Sequence, residues 1–71
     1  MLSEWYYFPD STRVEAARYC RDENILEFKF KNGPVCRYEG AADHYDGIIS
    51  CASPGRYVHV ELKGWTYSVV G

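Results

Sequence analysis

The stretch from Ile25 to Lys31 sets the tightest limit on what this chain can fold into. Leu26, Phe28 and Phe30 alternate with Glu27, Lys29 and Lys31, the period-two pattern of a half-buried strand. Asn32-Gly33-Pro34 then turns the chain, and Val35 to Glu39 returns antiparallel. A two-residue Asn-Gly loop would place Phe28 opposite Arg37 and Leu26 opposite Glu39, setting charge on the buried face. Counting Pro34 into the loop pairs Phe30 with Cys36 and Phe28 with Tyr38. Because a one-residue slip inverts every side chain, this second register is the expected one. It sets Lys29 against Arg37 on the outer face with Lys31 beside them, a mildly destabilising like-charge pairing.

Other elements arrange themselves around this hairpin. Trp5-Tyr6-Tyr7-Phe8 ends at Pro9, which cannot donate to a ladder, so residues 1–10 read as an aromatic arm or edge strand. Residues 11–71 form the single domain. Val14 to Tyr19 reads as a strand leading into the hairpin. Ala42 to Ala52 has helical spacing, with Ala42, Tyr45, Ile48, Ile49 and Ala52 on one face and Asp43, Asp46 and Ser50 on the other. Asp43 suits the start of the helix dipole. Gly47 costs about 1 kcal/mol against alanine there, which points to close packing on the sheet. Ser53-Pro54-Gly55 stops this helix, Tyr57 to Leu62 fits either helix or strand, and Trp65 to Val70 alternates as a final strand. The expected fold is α+β: a small antiparallel sheet of about four strands with one main helix, about residues 42–52, on one face.

Size and charge narrow the function classes. A chain of 71 residues lies near the lower limit for an independent core, and seven Tyr, three Phe and two Trp supply the large rings that make one sufficient. The net charge of −2 gives no long-range pull towards nucleic acid. Cys20, Cys36 and Cys51 are odd in number and scattered, which fits neither a disulfide framework nor a zinc site; reduced thiols in the cytoplasm are expected. The N-terminus lacks the pattern of a signal peptide, and no apolar run is long enough to span a membrane.

A wider pattern joins these segments: Tyr19, Leu26-x-Phe28-x-Phe30-x-Asn32-Gly33, Tyr38, Ala52-Ser53-x-Gly55-x-Tyr57, Leu62-Lys63 and Trp65-Thr66-Tyr67. Over roughly residues 11 to 70 the chain resembles the KTSC domain. That domain occurs at the C-terminus of some lysyl-tRNA synthetases and as a stand-alone bacterial or phage protein. The resemblance implies the α+β fold and suggests an RNA-related role. Two departures stand out: the family's central Tyr-x-Tyr is Cys36-Arg37-Tyr38 here, and the Val-Pro usual before the helix is Gly40-Ala41. His59 stands where relatives commonly have Asn.

Three kinds of chemistry have candidate residues in this chain. Catalysis finds little support, because a site needs nucleophile, base and orienting group together, and a Cys51–His59 pair lacks the third. His44 with Asp43 and Asp46 has no dependable metal spacing, so no cofactor or metal is expected. An anion or nucleic-acid surface would use Lys29, Lys31 and Arg37 on the hairpin with Arg56, His59 and Lys63 beside Tyr57, Trp65 and Tyr67. The blander reading makes those rings core and those cations a solvated rim. A protein-docking surface would use Trp5, Tyr6, Tyr7 and Phe8, with the acidic face of Asp43 and Asp46 meeting a basic partner. The expectation is therefore a non-enzymatic module that docks onto a protein or ribonucleoprotein. A phage-encoded inhibitor of a host nucleic-acid machine, of the anti-CRISPR kind, is its concrete form, and direct RNA or DNA binding the alternative. The N-terminal edge also offers a route to a homodimer.

Overall fold

The alternating segment forms the centre of the sheet in a computed structural model that describes residues 2–71. In chain order the elements are β1 (Tyr6–Tyr7), β2 (Val14–Cys20), β3 (Ile25–Phe30), β4 (Val35–Glu39), α1 (Tyr45–Ser50), α2 (Pro54–Glu61) and β5 (Tyr67–Val69); a 3₁₀ turn over Ala42–His44 leads into α1. The strands form one five-stranded sheet in the order β1-β2-β3-β4-β5, each antiparallel to its neighbour. This is the expected α+β architecture.

The hairpin register differs from the expected one by two residues. Phe28 pairs with Cys36, Leu26 with Tyr38, Glu27 with Arg37 and Lys29 with Val35. A two-residue shift keeps the same side chains on the same faces, so the buried set is unchanged while every cross-strand partner is new. The loop is Lys31-Asn32-Gly33: the Gly33 N–H donates to the Phe30 carbonyl at 3.3 Å, and the Phe30 N–H donates to the Pro34 carbonyl at 3.4 Å. Proline lacks only the donor, and this position asks it only to accept, so Pro34 closes the ladder instead of belonging to the loop. Asn32 takes the left-handed conformation, φ 59°, which its short polar side chain tolerates. Lys29 and Arg37 therefore do not face each other, and a carboxylate stands opposite Arg37 instead.

One face of the sheet carries the core. Register places Tyr6, Ala17, Phe28, Cys36 and Val69 in one row across the strands, and Tyr19, Leu26, Tyr38 and Tyr67 in the next. A bulge between Val14 and Ala16 brings Val14 to this face as well, although it lies three residues from Ala17. Phe8, Val14, Ala17, Leu26, Phe28, Cys36 and Tyr38 are buried with Ile48 of α1 and Leu62 just after α2.

The helical expectation over 42–52 is met by the 3₁₀ turn and α1, but Ser53-Pro54-Gly55 begins a second helix as well as ending the first. Ser53 caps α2 by accepting from the Arg56 N–H, and Pro54 opens its first turn, where a missing N–H costs nothing. Residues 57–62 are thus helical up to Glu61. Gly47 packs against Tyr57 of α2, not against the sheet as its position suggested. Beyond α2, Gly64 takes φ +80° and turns the chain back. The Trp65 indole then donates to the Glu39 carbonyl at 2.7 Å, tying the start of the last segment to the end of β4. β5 itself is short, and all of its residues are exposed.

Candidate functional site

A groove of about 570 Å³ runs between the β1 edge and the junction of α1 with α2. One wall is Tyr6, Tyr7 and Pro9, and the other is Ile49, Ser53 and Arg56, with His59 further along α2. Arg13 lies close beneath the first turn of α2, since a β-carbon on Gly55 would stand 3.2 Å from Arg13 Cβ. A second cleft of about 350 Å³ shares Thr12, Arg13, Gly55 and His59 with it and extends to Phe30 and Lys31.

The geometry follows from local sequence. Phe8 is drawn into the core, and its N–H donates to the Glu15 carbonyl at 2.9 Å, which fixes the chain just before Pro9. Tyr6 rests on Phe8 with ring centroids 5.2 Å apart. Tyr6 and Tyr7 nonetheless remain 43% and 55% exposed, because β1 is an edge strand with no neighbour beyond it. Across the groove, the Ser53 cap sets the first turn of α2 and with it Arg56. Among the described residues, no ion pair engages Arg13 or Arg56. Asp10 supplies a carboxylate to the rim.

The structure thus gathers part of two separate expected clusters. Tyr6 and Tyr7 from the docking set meet Arg56 and His59 from the cationic set in one groove. Phe8 is buried in the core and also borders the groove. Trp5 is turned to the opposite face of the sheet, where its ring lies 4.2 Å from the Arg18 guanidinium carbon. Lys63 is exposed beyond α2 and lines neither cleft.

Each hairpin cation has a partner. Lys29 pairs with Glu15 at 3.4 Å, the Lys31 ammonium donates to the Ser11 carbonyl, and Arg37 Nε meets Glu27 Oε2 at 2.7 Å. Asp43 and Asp46 are both strongly exposed and lie 3.8 and 3.4 Å from the two terminal nitrogens of Arg21. Sequence reading left Arg21 out of that acidic face.

Sequence reading also missed a row on the face of the sheet opposite the helices. Arg18, Glu27 and Arg37 are consecutive cross-strand partners. Arg18 Nε donates to Glu27 Oε1 at 2.8 Å and Arg37 Nε to Glu27 Oε2 at 2.7 Å, while Glu27 itself has no exposed surface. The hydrogen bond and the charge of Glu27 push the Arg37 guanidinium further up from its ordinary range. The correct hairpin register was the signal that would have found this row.

Cys51 and His44 are engaged with other groups. The Cys51 thiol donates to the Ile48 carbonyl at 3.0 Å, and His44 Nδ1 lies 2.9 Å from the Tyr57 hydroxyl. Burial, with smaller contributions from Glu61 and Cys51, pushes the Tyr57 phenol up. Among the described residues no cluster of three His, Cys, Asp or Glu side chains is placed to hold a metal ion. Among the described residues no helix is long and apolar enough to cross a membrane.

Residues 10–67 match the family model of the KTSC domain. A crystal structure of a KTSC domain protein from Yersinia pestis superposes on the chain with a TM-score of 0.89, covering 100% of both chains at 22% sequence identity. At that identity the likeness is one of fold. No curated protein matches the chain. Tyr6, Tyr7 and Phe8 lie before the matched span, whereas Arg13, Arg56 and His59 lie within it.

Proposed function

The chain belongs to the KTSC domain family, and on that premise we propose that it is a non-catalytic docking module whose groove receives an acidic segment of a protein partner. The observation that carries this reading is the meeting, around one groove, of two exposed tyrosines with Arg13 and Arg56, which no ion pair among the described residues engages. Tyrosine and arginine dominate binding hot spots, because each combines apolar area with directed hydrogen bonding. A cavity of about 570 Å³ falls in the range of sites that enclose a side chain or short segment. An apolar anchor beside Tyr6 and Ile49, with a carboxylate towards Arg13 or Arg56, would satisfy both walls. A phage-encoded inhibitor that docks onto a host nucleic-acid machine would be one module of this kind.

Direct RNA or DNA binding draws less support. Lys29 and Lys31 would have to exchange their partners for phosphate, and the net charge of −2 opposes approach.

Titration of the isotopically labelled protein with an acidic nonapeptide carrying one central leucine tests the reading. Amide shifts should concentrate at Tyr6, Tyr7, Gly55 and Arg56, and Arg56→Glu should abolish them. Equal shifts from a lysine-rich peptide would sink the proposal. The same shifts from a short oligonucleotide, without response to the acidic peptide, would transfer the groove to the nucleic-acid alternative.

A further inference from the structure

We infer that Arg18 and Arg37 form a phosphate-binding fork on the face of the sheet opposite the helices, independent of the groove. The two residues stand on β2 and β4 with Glu27 between them on β3. Each guanidinium donates its Nε to a different oxygen of the same carboxylate, at 2.8 and 2.7 Å. Glu27 is wholly buried, so its carboxylate acts as a fixed bracket that sets both side chains in one orientation. Guanidinium carries five N–H donors, and Nε supplies only one of them. No acceptor among the described residues engages the terminal nitrogens of either arginine. Both side chains keep access to solvent, at 28% and 36% exposure. Trp5, 4.2 Å from the Arg18 guanidinium carbon, closes one end of the row with a ring.

One carboxylate against two guanidiniums leaves a local charge of about +1. The surroundings decide which ligand class can use it. Lys29 on the same face is held by Glu15, and Glu23 and Glu39 also act on Arg37. Long-range attraction is therefore weak, and an anion must be held by hydrogen-bond geometry. That requirement disfavours chloride, which has no directional lone-pair pattern to match. It also disfavours a second carboxylate, whose two oxygens cannot use both forks as fully as the three or four oxygens of a phosphate group. The shared chemistry is a phosphate group, carried either by a free phosphate compound or by the backbone of a nucleic-acid strand.

The probe is inorganic phosphate, titrated at constant ionic strength while the Trp5 indole N–H and the arginine Nε–H resonances are followed. Saturable shifts confined to Trp5, Arg18 and Arg37 are expected. Arg37→Lys keeps the charge but removes the fork, and should weaken the response by about tenfold or more; Arg18→Lys is the parallel variant if the first does not fold. Lys63→Ala should leave the titration unchanged. A parallel titration with oligothymidylate separates the two sources: a tighter midpoint at the same resonances identifies a nucleic-acid strand, and a response to inorganic phosphate alone identifies a free phosphate. Linear, unsaturating shifts, an undiminished response in folded Arg37→Lys, or an equal response to acetate would each overturn the assignment. None of these readouts involves the groove, so the two proposals stand or fall separately.

Discussion

Gly47 of α1 lies directly against the ring of Tyr57 of α2: a β-carbon at position 47 would stand 2.7 Å from the phenol oxygen and 3.2 Å from two ring carbons. The Tyr57 hydroxyl in turn meets His44 Nδ1 at 2.9 Å, so the ring cannot swing away without giving up that hydrogen bond. Gly47→Ala should gain about 1 kcal/mol in helix propensity and lose about 1–3 kcal/mol to overpacking, for a net loss. In a Tyr57→Ala background the same substitution should be neutral or stabilising. A double-mutant cycle by urea denaturation measures the difference, and additive effects would mean that the two residues do not touch.

Breaking the buried carboxylate bracket should cost more than losing either of its arginines. Glu27→Gln leaves two guanidiniums facing each other across a buried neutral amide. Their access to solvent moderates the penalty to about 2 kcal/mol, below the range for fully buried pairs. Replacing the whole row at once (Arg18→Met, Glu27→Leu, Arg37→Met) should recover most of that loss, because a well-packed apolar substitute needs no charge compensation. Denaturant midpoints of both variants provide the check.

The N-terminal rings separate into structural and exposed roles. Phe8→Ala should cost about 3 kcal/mol, since it empties a core position. Tyr7→Ala should change stability by less than about 0.5 kcal/mol, because that ring is 55% exposed. Tyr6→Ala should fall between them through loss of its 5.2 Å contact with Phe8. Thermal melts of the three variants test the ranking, and a large loss for Tyr7→Ala would place its ring in the core.

Alkaline pH should destabilise the protein. Burial pushes the Cys36 thiol and the Tyr38, Tyr45 and Tyr57 phenols up from their ordinary values of 9.0 and 10.0. Above those values the unfolded chain releases protons that the folded chain retains. The contribution is therefore fully present below pH 9.0 and is lost as pH rises through the higher folded values. The slope is bounded by about 1.4 kcal/mol per pH unit for each proton retained. Stability measured between pH 7 and 11 should fall, and Tyr38→Phe should flatten the fall.

How much of this was legible in the sequence depends on the range of the interaction concerned. The period-two pattern of Leu26, Phe28 and Phe30 gave the strand and its core-facing side, whereas the burial of Glu27 on the other side depends on Arg18 and Arg37 across the ladder. The hairpin partners were not legible in the same way, because they turn on Asn32 taking the left-handed conformation and Pro34 serving as an acceptor. Ser53-Pro54 carried a helix-start signal that was read only as a stop, and so α2 stayed undecided. The aromatic run was visible, but its division into buried Phe8, exposed Tyr6 and Tyr7, and Trp5 over Arg18 required the edge pairing with β2. The groove was least legible of all, since its two walls come from opposite ends of the chain and meet only in the folded state.

The strand order, which repeats the order of the chain, has a consequence for how quickly the protein folds. The first four strands are linked through short connections, so β1 to β4 can zip together with little loop-closure entropy at each step. Only β5 must wait for a partner far along the chain, because both helices intervene between it and β4. Contacts of short sequence separation form early, and this sheet is dominated by them. Substitutions in the β2–β3–β4 meander, such as Ala17→Gly, should slow refolding, whereas Val69→Ala in β5 should mainly speed unfolding. Stopped-flow chevrons would distinguish this sequence of events from one in which the sheet closes all at once.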